Sequence, residues 1–216
     1  YHSTTELTPV AFSPEGDEIL FYKDFTDSTS QIFTIPVQGG EPLALSDSTA
    51  RDIPVAYSPE GDRIIMHSDR SGNREIYLMN RDGTEVMRYT NHPAKDTPVG
   101  ITSNNRFLIF NSERNSPRDK KNVFRVNADD GSGLYQLTGT DAEDEAVDLS
   151  PSGDRILFFS QRDGAREVYT MDNMGGEVKQ LTFNYLLDYP VAFHPDGETI
   201  LYFSRNQTNQ DVYTIS

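Results

Sequence analysis

The stretch Ala146–Thr182, AVDLSPSGDRILFFSQRDGAREVYTMDNMGGEVKQLT, decides the fold. It opens on a short strand ending in Ser150-Pro151-Ser152-Gly153-Asp154, which is tight-turn chemistry. The apolar run Ile156-Leu157-Phe158-Phe159 follows and reads as a strand covered on both faces. A polar loop then leads to Val168-Tyr169-Thr170-Met171, whose alternation predicts a third strand with one buried face. The turn Gly175-Gly176 precedes a fourth strand, Glu177–Thr182. No helical period interrupts these four strands.

The same phrase starts at Pro9, Pro54, Pro98, Ala146 and Pro190, with spacings of 45, 44, 48 and 44 residues. Third strands recur as QIFTI, EIYLM, NVFRV, EVYTM and DVYTI, from Gln31, Glu75, Asn122, Glu167 and Asp211. Fourth strands recur as EPLALS, TEVMRYT, GLYQLT and EVKQLT, and the fifth repeat stops at Ser216 before any fourth strand. Four strands repeated about every 40–45 residues are the mark of a β-propeller blade. The fold class is therefore all-β: one propeller domain over 1–216, with repeats at about 8–52, 53–96, 97–144, 145–188 and 189–216.

The pattern P-V-A-[FY]-S-P-[ED]-G-D, then S-x-R-x-G-x-x-E-[IV]-Y, then x-Q-L-T, resembles the WD-like repeat of TolB-type β-propellers and covers the whole chain. The third repeat departs from it, with Ser103-Asn104-Asn105 at the turn and a longer loop over Glu113–Lys121. The resemblance implies a periplasmic or secreted setting and a protein partner docked on one propeller face. The fifth repeat's missing outer strand leads to the expectation that the chain is part of a longer propeller. The alternative is an open or five-bladed ring, to which His2-Ser3-Thr4-Thr5 would add a poor closing strand. Open strand edges invite self-association.

Composition narrows the function. Nineteen Lys+Arg against 34 Asp+Glu give a formal net charge of −15, which repels phosphate backbones and argues against a nucleic-acid binder. There is no cysteine, which excludes disulfides, thiolate metal sites and thiol nucleophiles. No apolar run approaches the roughly 20 residues of a membrane-spanning helix. The chain starts at Tyr1, so a removed targeting segment remains compatible with it.

In a propeller, the turns between strands one and two and between three and four share one face. Here they are short and uniform, whereas Lys23–Ser30, Ser68–Arg74, Ser112–Lys121, Ser160–Arg166 and Ser204–Gln210 vary. Variable loops on a rigid scaffold are where binding usually sits, so function is expected on their face. The links on that face repeat one acid: Asp52, Asp96, Asp144 and Asp188, with Leu7 in the first repeat. These acids would ring one channel mouth. They would either accept backbone N–H bonds where each blade begins, the favoured reading, or hold a hard cation such as Ca²⁺ or attract a basic segment. Arg70, Arg114, Arg162 and Arg205 also recur and could pair with the aspartates across adjacent blades.

The third repeat's loop carries the one basic cluster, with Arg114, Arg118, Lys120 and Lys121 as candidate partner-binding residues. The acidic run Asp141–Glu145 could instead neutralise it. No Gly-x-Ser-x-Gly elbow, His-Glu-x-x-His motif or phosphate-binding glycine loop is present. His67 reads as a packed core residue, and His194 as a hydrogen-bonded substitute for the turn serine. Asn206-Gln207-Thr208 is a glycosylation sequon, meaningful in a eukaryotic secretory setting. Three functions stay open: a non-catalytic interaction module, the propeller portion of a prolyl-oligopeptidase-like peptidase, and a small metal-dependent polysaccharide lyase of the oligogalacturonate type.

Overall fold

Strands β1 (Leu7–Phe12), β2 (Glu18–Thr26), β3 (Thr29–Pro36) and β4 (Leu43–Ala44) form the first sheet in chain order. The computed structural model describes residues 7–116, 120–139 and 141–216, among which there is no helix. The second sheet comprises β5 (Asp52–Tyr57), β6 (Arg63–Ser68), β7 (Glu75–Asn80) and β8 (Met87–Arg88). The third comprises β9 (Asp96–Ile101), β10 (Phe107–Ser112), β11 (Asn122–Asn127) and β12 (Tyr135–Gln136). The fourth comprises β13 (Asp144–Leu149), β14 (Arg155–Ser160), β15 (Glu167–Asp172) and β16 (Lys179–Gln180). The fifth has three strands, β17 (Leu187–Phe193), β18 (Ile200–Arg205) and β19 (Gln210–Ile215). Two compact units divide between Pro98 and Val99, inside β9. The segment His2–Thr5 lies outside the described residues.

Each sheet is an antiparallel meander. Its first strand has one neighbour, so a proline there removes no ladder donor from a central strand. Pro9, Pro54 and Pro190 occupy that place, and the register slips one residue later, at Val10, Val55, Val147 and Val191. The turn after it is a side-chain staple. Ser58 Oγ donates to Asp62 Oδ1 at 2.6 Å and accepts the Arg63 amide at 3.0 Å. Ser13–Asp17 and Ser150–Asp154 repeat the pair. The glycines between them have positive φ, from 72° at Gly16 to 75° at Gly61. Asn105 stands at that position in the third repeat with φ of 55°, a conformation asparagine tolerates better than most residues. His194 replaces the serine, and its Nδ1 accepts the Asp196 amide at 3.2 Å, as a structural substitute would.

Packing is between sheets. In residues 7–98, Leu20 and Ile32 of the first sheet meet Ile64, Met66, Tyr77 and Met79 of the second. In residues 99–216, Phe107, Ile109 and Val123 meet Ile156, Phe158 and Tyr169, while Leu157 and Val168 meet Phe193 and Ile200. Polar bonds register the same contacts. Asn111 exchanges two 2.8 Å bonds with the Ala146 backbone, and Asp148 Oδ2 accepts the Phe193 amide at 2.7 Å. β7 and β15 are buried at all but their last residue, against the half-burial that their alternation suggests; around β15 the third sheet packs on Tyr169 and the fifth on Val168. Fourth strands shrink to two residues each, which blunts the sheet edge.

Gly16 and Gly153 give a matched test of the turn. A Cβ on Gly16 meets nothing, whereas one on Gly153 collides with the Ser103 backbone, and both residues have φ of 72°. Gly16→Ala should cost about 1 kcal/mol from left-handed strain alone, and Gly153→Ala distinctly more. Equal drops in melting temperature would mean that the fourth turn does not press on Ser103.

Candidate functional site

The loop ends of the sheets are organised by a repeated guanidinium clamp. Asp52 begins β5, faces Ser68 across the ladder and is fully buried. Arg70 lies two residues past Ser68 and curls back. Its Nη2 donates to Asp52 Oδ2 at 2.8 Å, and its backbone N and Nε donate to Ser68 Oγ at 3.2 and 3.1 Å. The guanidinium lies 5.0 Å from the Tyr77 ring centre. In the fourth sheet Arg162 does the same with Asp144 at 3.1 Å, Ser160 at 3.2 and 2.8 Å, and the rings of Phe158 and Tyr169. A carboxylate this deep is tolerable because a bonded opposite charge accompanies it.

A second clamp ties the third strand to the fourth. Glu75 is fully buried and accepts Arg88 Nη2 at 2.9 Å, Thr90 Oγ1 at 2.6 Å and the His92 amide at 2.7 Å. Burial pushes its carboxyl up, but these donors outweigh burial and hold it below the usual range. Thr90 Oγ1 in turn accepts the Ile76 amide at 2.9 Å. Thr138 and Thr182 accept the Val123 and Val168 amides at the same 2.9 Å. The repeated Glu and the Thr of the L-T ending are thus one device, which sequence reasoning left unexplained.

The candidate residues now have definite places. Asp52, Asp96, Asp144 and Asp188 are all fully buried rather than displayed at an open mouth. Asp52 and Asp144 hold an arginine of their own sheet, so the pairing expected across blades runs within one. Asp52 Oδ2 and Asp144 Oδ1 each accept a guanidinium N–H bond. Arg114 departs from its assignment as a partner-binding cation. It is buried, donates twice to Ser112 Oγ at 3.1 and 2.9 Å, and lies over Phe110 and Phe124. Lys120 Nζ donates to the Asp141 carbonyl at 2.6 Å and Lys121 Nζ to Glu145 at 2.7 Å, so the acidic run does meet this loop. Arg118 lies outside the described residues. For a Ca²⁺ site, no three His, Asp or Glu side chains among the described residues stand close enough to hold a metal ion.

Sequence reasoning missed the link between the fourth and fifth sheets. Phe183 is 76% exposed, Tyr185 fully so, and Leu187 43%. Tyr185 stands between two surface cavities. One of about 320 Å³ is lined by Asp163, Glu167, Gln180, Phe183 and Asn184; the other, of about 390 Å³, is lined by Leu186, Leu187, Arg205, Asn206 and Gln207. The signal was legible: Phe183-Asn184-Tyr185-Leu186-Leu187 is apolar where Ser46–Arg51 and Thr90–Lys95 are polar.

A repeated four-stranded meander with clamped loop ends defines a propeller blade. The TolB beta propeller domain family matches residues 2–216, and the chain belongs to that family. An uncharacterized protein of Agrobacterium fabrum is 27% identical over 78% of this chain, which spans 59% of that relative's length. A structure assigned to TolB of Agrobacterium tumefaciens is similar at a TM-score of 0.77 and 17% identity, covering 100% of this chain and 79% of its own. TolB from Acinetobacter baumannii gives 0.73 at 22% identity, covering 98% of this chain and 52% of its own. An oligogalacturonate lyase in complex with manganese shares the fold at 0.72 and 15%, covering 97% of this chain and 64% of its own. Prolyl endopeptidase does so at 0.69 and 13%, with 99% and 34% covered.

The clamp predicts that Arg162→Ala costs about 3 kcal/mol, the penalty of leaving Asp144 buried without its partner, and that Asp144→Asn added to it recovers part of the loss. Equal denaturant midpoints for wild type and Arg162→Ala would dismiss the clamp as a source of stability. His67 supplies a pH test. It borders a cavity of about 40 Å³ with Arg51, Asp69 and Arg74. Burial first, then Arg74 and Arg51, push its imidazole down to about 4. The unfolded chain therefore takes up the proton first, and stability falls as pH drops from about 6.5 toward 4, by about 2 kcal/mol at pH 5. His67→Gln should flatten that part of the stability profile; an unchanged slope would mean that His67 does not titrate this way.

Proposed function

We propose that this chain is a non-catalytic interaction module that binds a protein partner on the face carrying the inter-blade links and long loops. The observation that carries this reading is the exposed link Phe183–Leu187, with two cavities beside one fully exposed tyrosine. Large aromatic side chains flanked by polar groups are the usual anchors of protein interfaces. Lys120 and Lys121, between β10 and β11 of the third repeat, would contribute at the rim. Membership of the TolB family supports a periplasmic or secreted setting. No helix among the described residues is long and apolar enough to cross a membrane. If the chain serves as the propeller of a larger peptidase, the reacting groups belong to a different part of that protein, and this face would meet it.

Photocrosslinking in the source cell tests the site. A photoreactive phenylalanine analogue placed at Tyr185 should trap a discrete protein adduct, and the same analogue at Asp82, in the short turn between β7 and β8, should trap none. Tyr185→Ala should also reduce crosslinking from a second probe at Lys120. Absence of an adduct at position 185, or equal adducts at 82, would overturn the assignment of the binding face.

A further inference from the structure

The fifth repeat keeps the guanidinium clamp but replaces its arginine. Asp188 faces Ser204 across the ladder, as Asp52 faces Ser68 and Asp144 faces Ser160. The stacked pair Tyr202–Tyr213, with centroids 5.4 Å apart at 25°, occupies the place of Phe158–Tyr169, at 5.5 Å and 28°. Two residues past the serine, however, stands Asn206 instead of Arg70, Arg114 or Arg162. Asn206 turns into its own loop, where its Oδ1 accepts the Thr208 and Asn209 amides, both at 2.8 Å. Arg205 does not substitute for it. It is still on β18, paired with Gln210, so its side chain leaves the face opposite to Ser204.

The polar atoms record the change. Ser68, Ser112 and Ser160 each accept two arginine N–H bonds, whereas Ser204 Oγ is buried and has no partner. Asp188 is fully buried; its Oδ2 accepts Asn184 Nδ2 at 2.8 Å, and its Oδ1 has no partner. Asp52 Oδ1 is likewise unbonded, but Asp52 has Arg70 on its other oxygen, while Asp188 has a neutral amide.

The adjoining carboxylate has also changed partners. Glu167 keeps its bonds to Thr182 Oγ1 at 2.5 Å and to the Asn184 amide at 2.9 Å. Where Glu75 has Arg88, however, it has Gln180, which donates instead to the Thr182 carbonyl. Burial pushes the Glu167 carboxyl up against those two donors, and Asp188 beside it pushes the same way. Two buried acids thus meet without either of the arginines that the second repeat supplies. Glu167 and Asn184 line the cavity of about 320 Å³ that opens beside Tyr185.

We propose that the fifth repeat is a receptor for a guanidinium group supplied by a partner: an arginine side chain entering beside Tyr185 and seated against Asp188, Ser204 and Glu167. The planar fork matches a carboxylate and a hydroxyl at once, and the flat cation stacks on an aromatic ring, as Arg70 and Arg162 do within the chain. Lysine has neither property. The inference gives the partner of the preceding section its chemistry and rests on that reading for the partner alone. The receptor can be tested with a small probe, so the two fail separately.

Arginine amide, its neutral isostere citrulline amide, and lysine amide would be titrated into the whole chain while the ring signals of Tyr202 and Tyr213 are followed by NMR. Arginine amide should bind with a millimolar dissociation constant, and the other two roughly tenfold or more weakly. Asn206→Arg restores the internal arginine. It should raise Tm and abolish binding of the probe. If that variant does not fold, Ser204→Ala, which removes the hydroxyl alone, should weaken arginine amide by about threefold or more at little change in Tm. Equal binding of citrulline or lysine amide overturns the proposal, as does probe binding that persists in Asn206→Arg or is untouched in Ser204→Ala. Crosslinking at position 185 alongside such a result would leave the binding face standing and remove the arginine.

Discussion

Burying a carboxylate where the second to fifth sheets begin is the constraint around which their loop ends are built. Asp52 and Asp144 have no access to water, so each must be met by a charge within reach. The chain meets it from its own next loop: the arginine two residues past the facing serine returns over the strand end and bonds both. That return fixes the path of the loop, sets its first residues, and lays a flat cation on the aromatic pair beneath. The opposite ends need no buried charge, because a serine and an aspartate staple a tight turn there. The two ends of a blade therefore differ in kind, one held by a serine–aspartate turn and the other by a buried, compensated charge.

Much of this was legible in the residues. The recurring proline phrase gave the number of sheets and the strand order, since a meander of short strands has few other ways to bury Ile156–Phe159. The third strand's alternation misled, because Thr170 looks like a surface residue and is covered by the next sheet all the same. Fourth strands were read as six or seven residues and prove to be two, because threonine hydroxyls and not ladder bonds tie their ends.

The site was less legible, for a physical reason. Repetition marks positions that perform the same local task in every blade, and the aspartates and arginines do so as a clamp. Residues that differ from their counterparts are the better pointers to a partner, and they lack the periodicity that draws the eye. Phe183 and Tyr185 stand where other links are polar, and Asn206 where other loops carry arginine. Arg114 shows the converse: its sequence neighbours suggested an exposed basic loop, yet its spacing from Ser112 is that of the clamp, and the spacing governs.

The meander has a kinetic consequence. Every ladder pairs segments that are neighbours along the chain, as in Asp144 with Ser160 or Ser160 with Glu167. Loop closures this short lose little entropy, so a hairpin can nucleate before distant parts of the polypeptide exist. A chain emerging from the ribosome can therefore assemble one blade at a time, and within each compact unit a new sheet can condense on the apolar face of the one before it. Among the described residues the order of synthesis is also the order of strand pairing, and no strand of these sheets waits for a partner made much later.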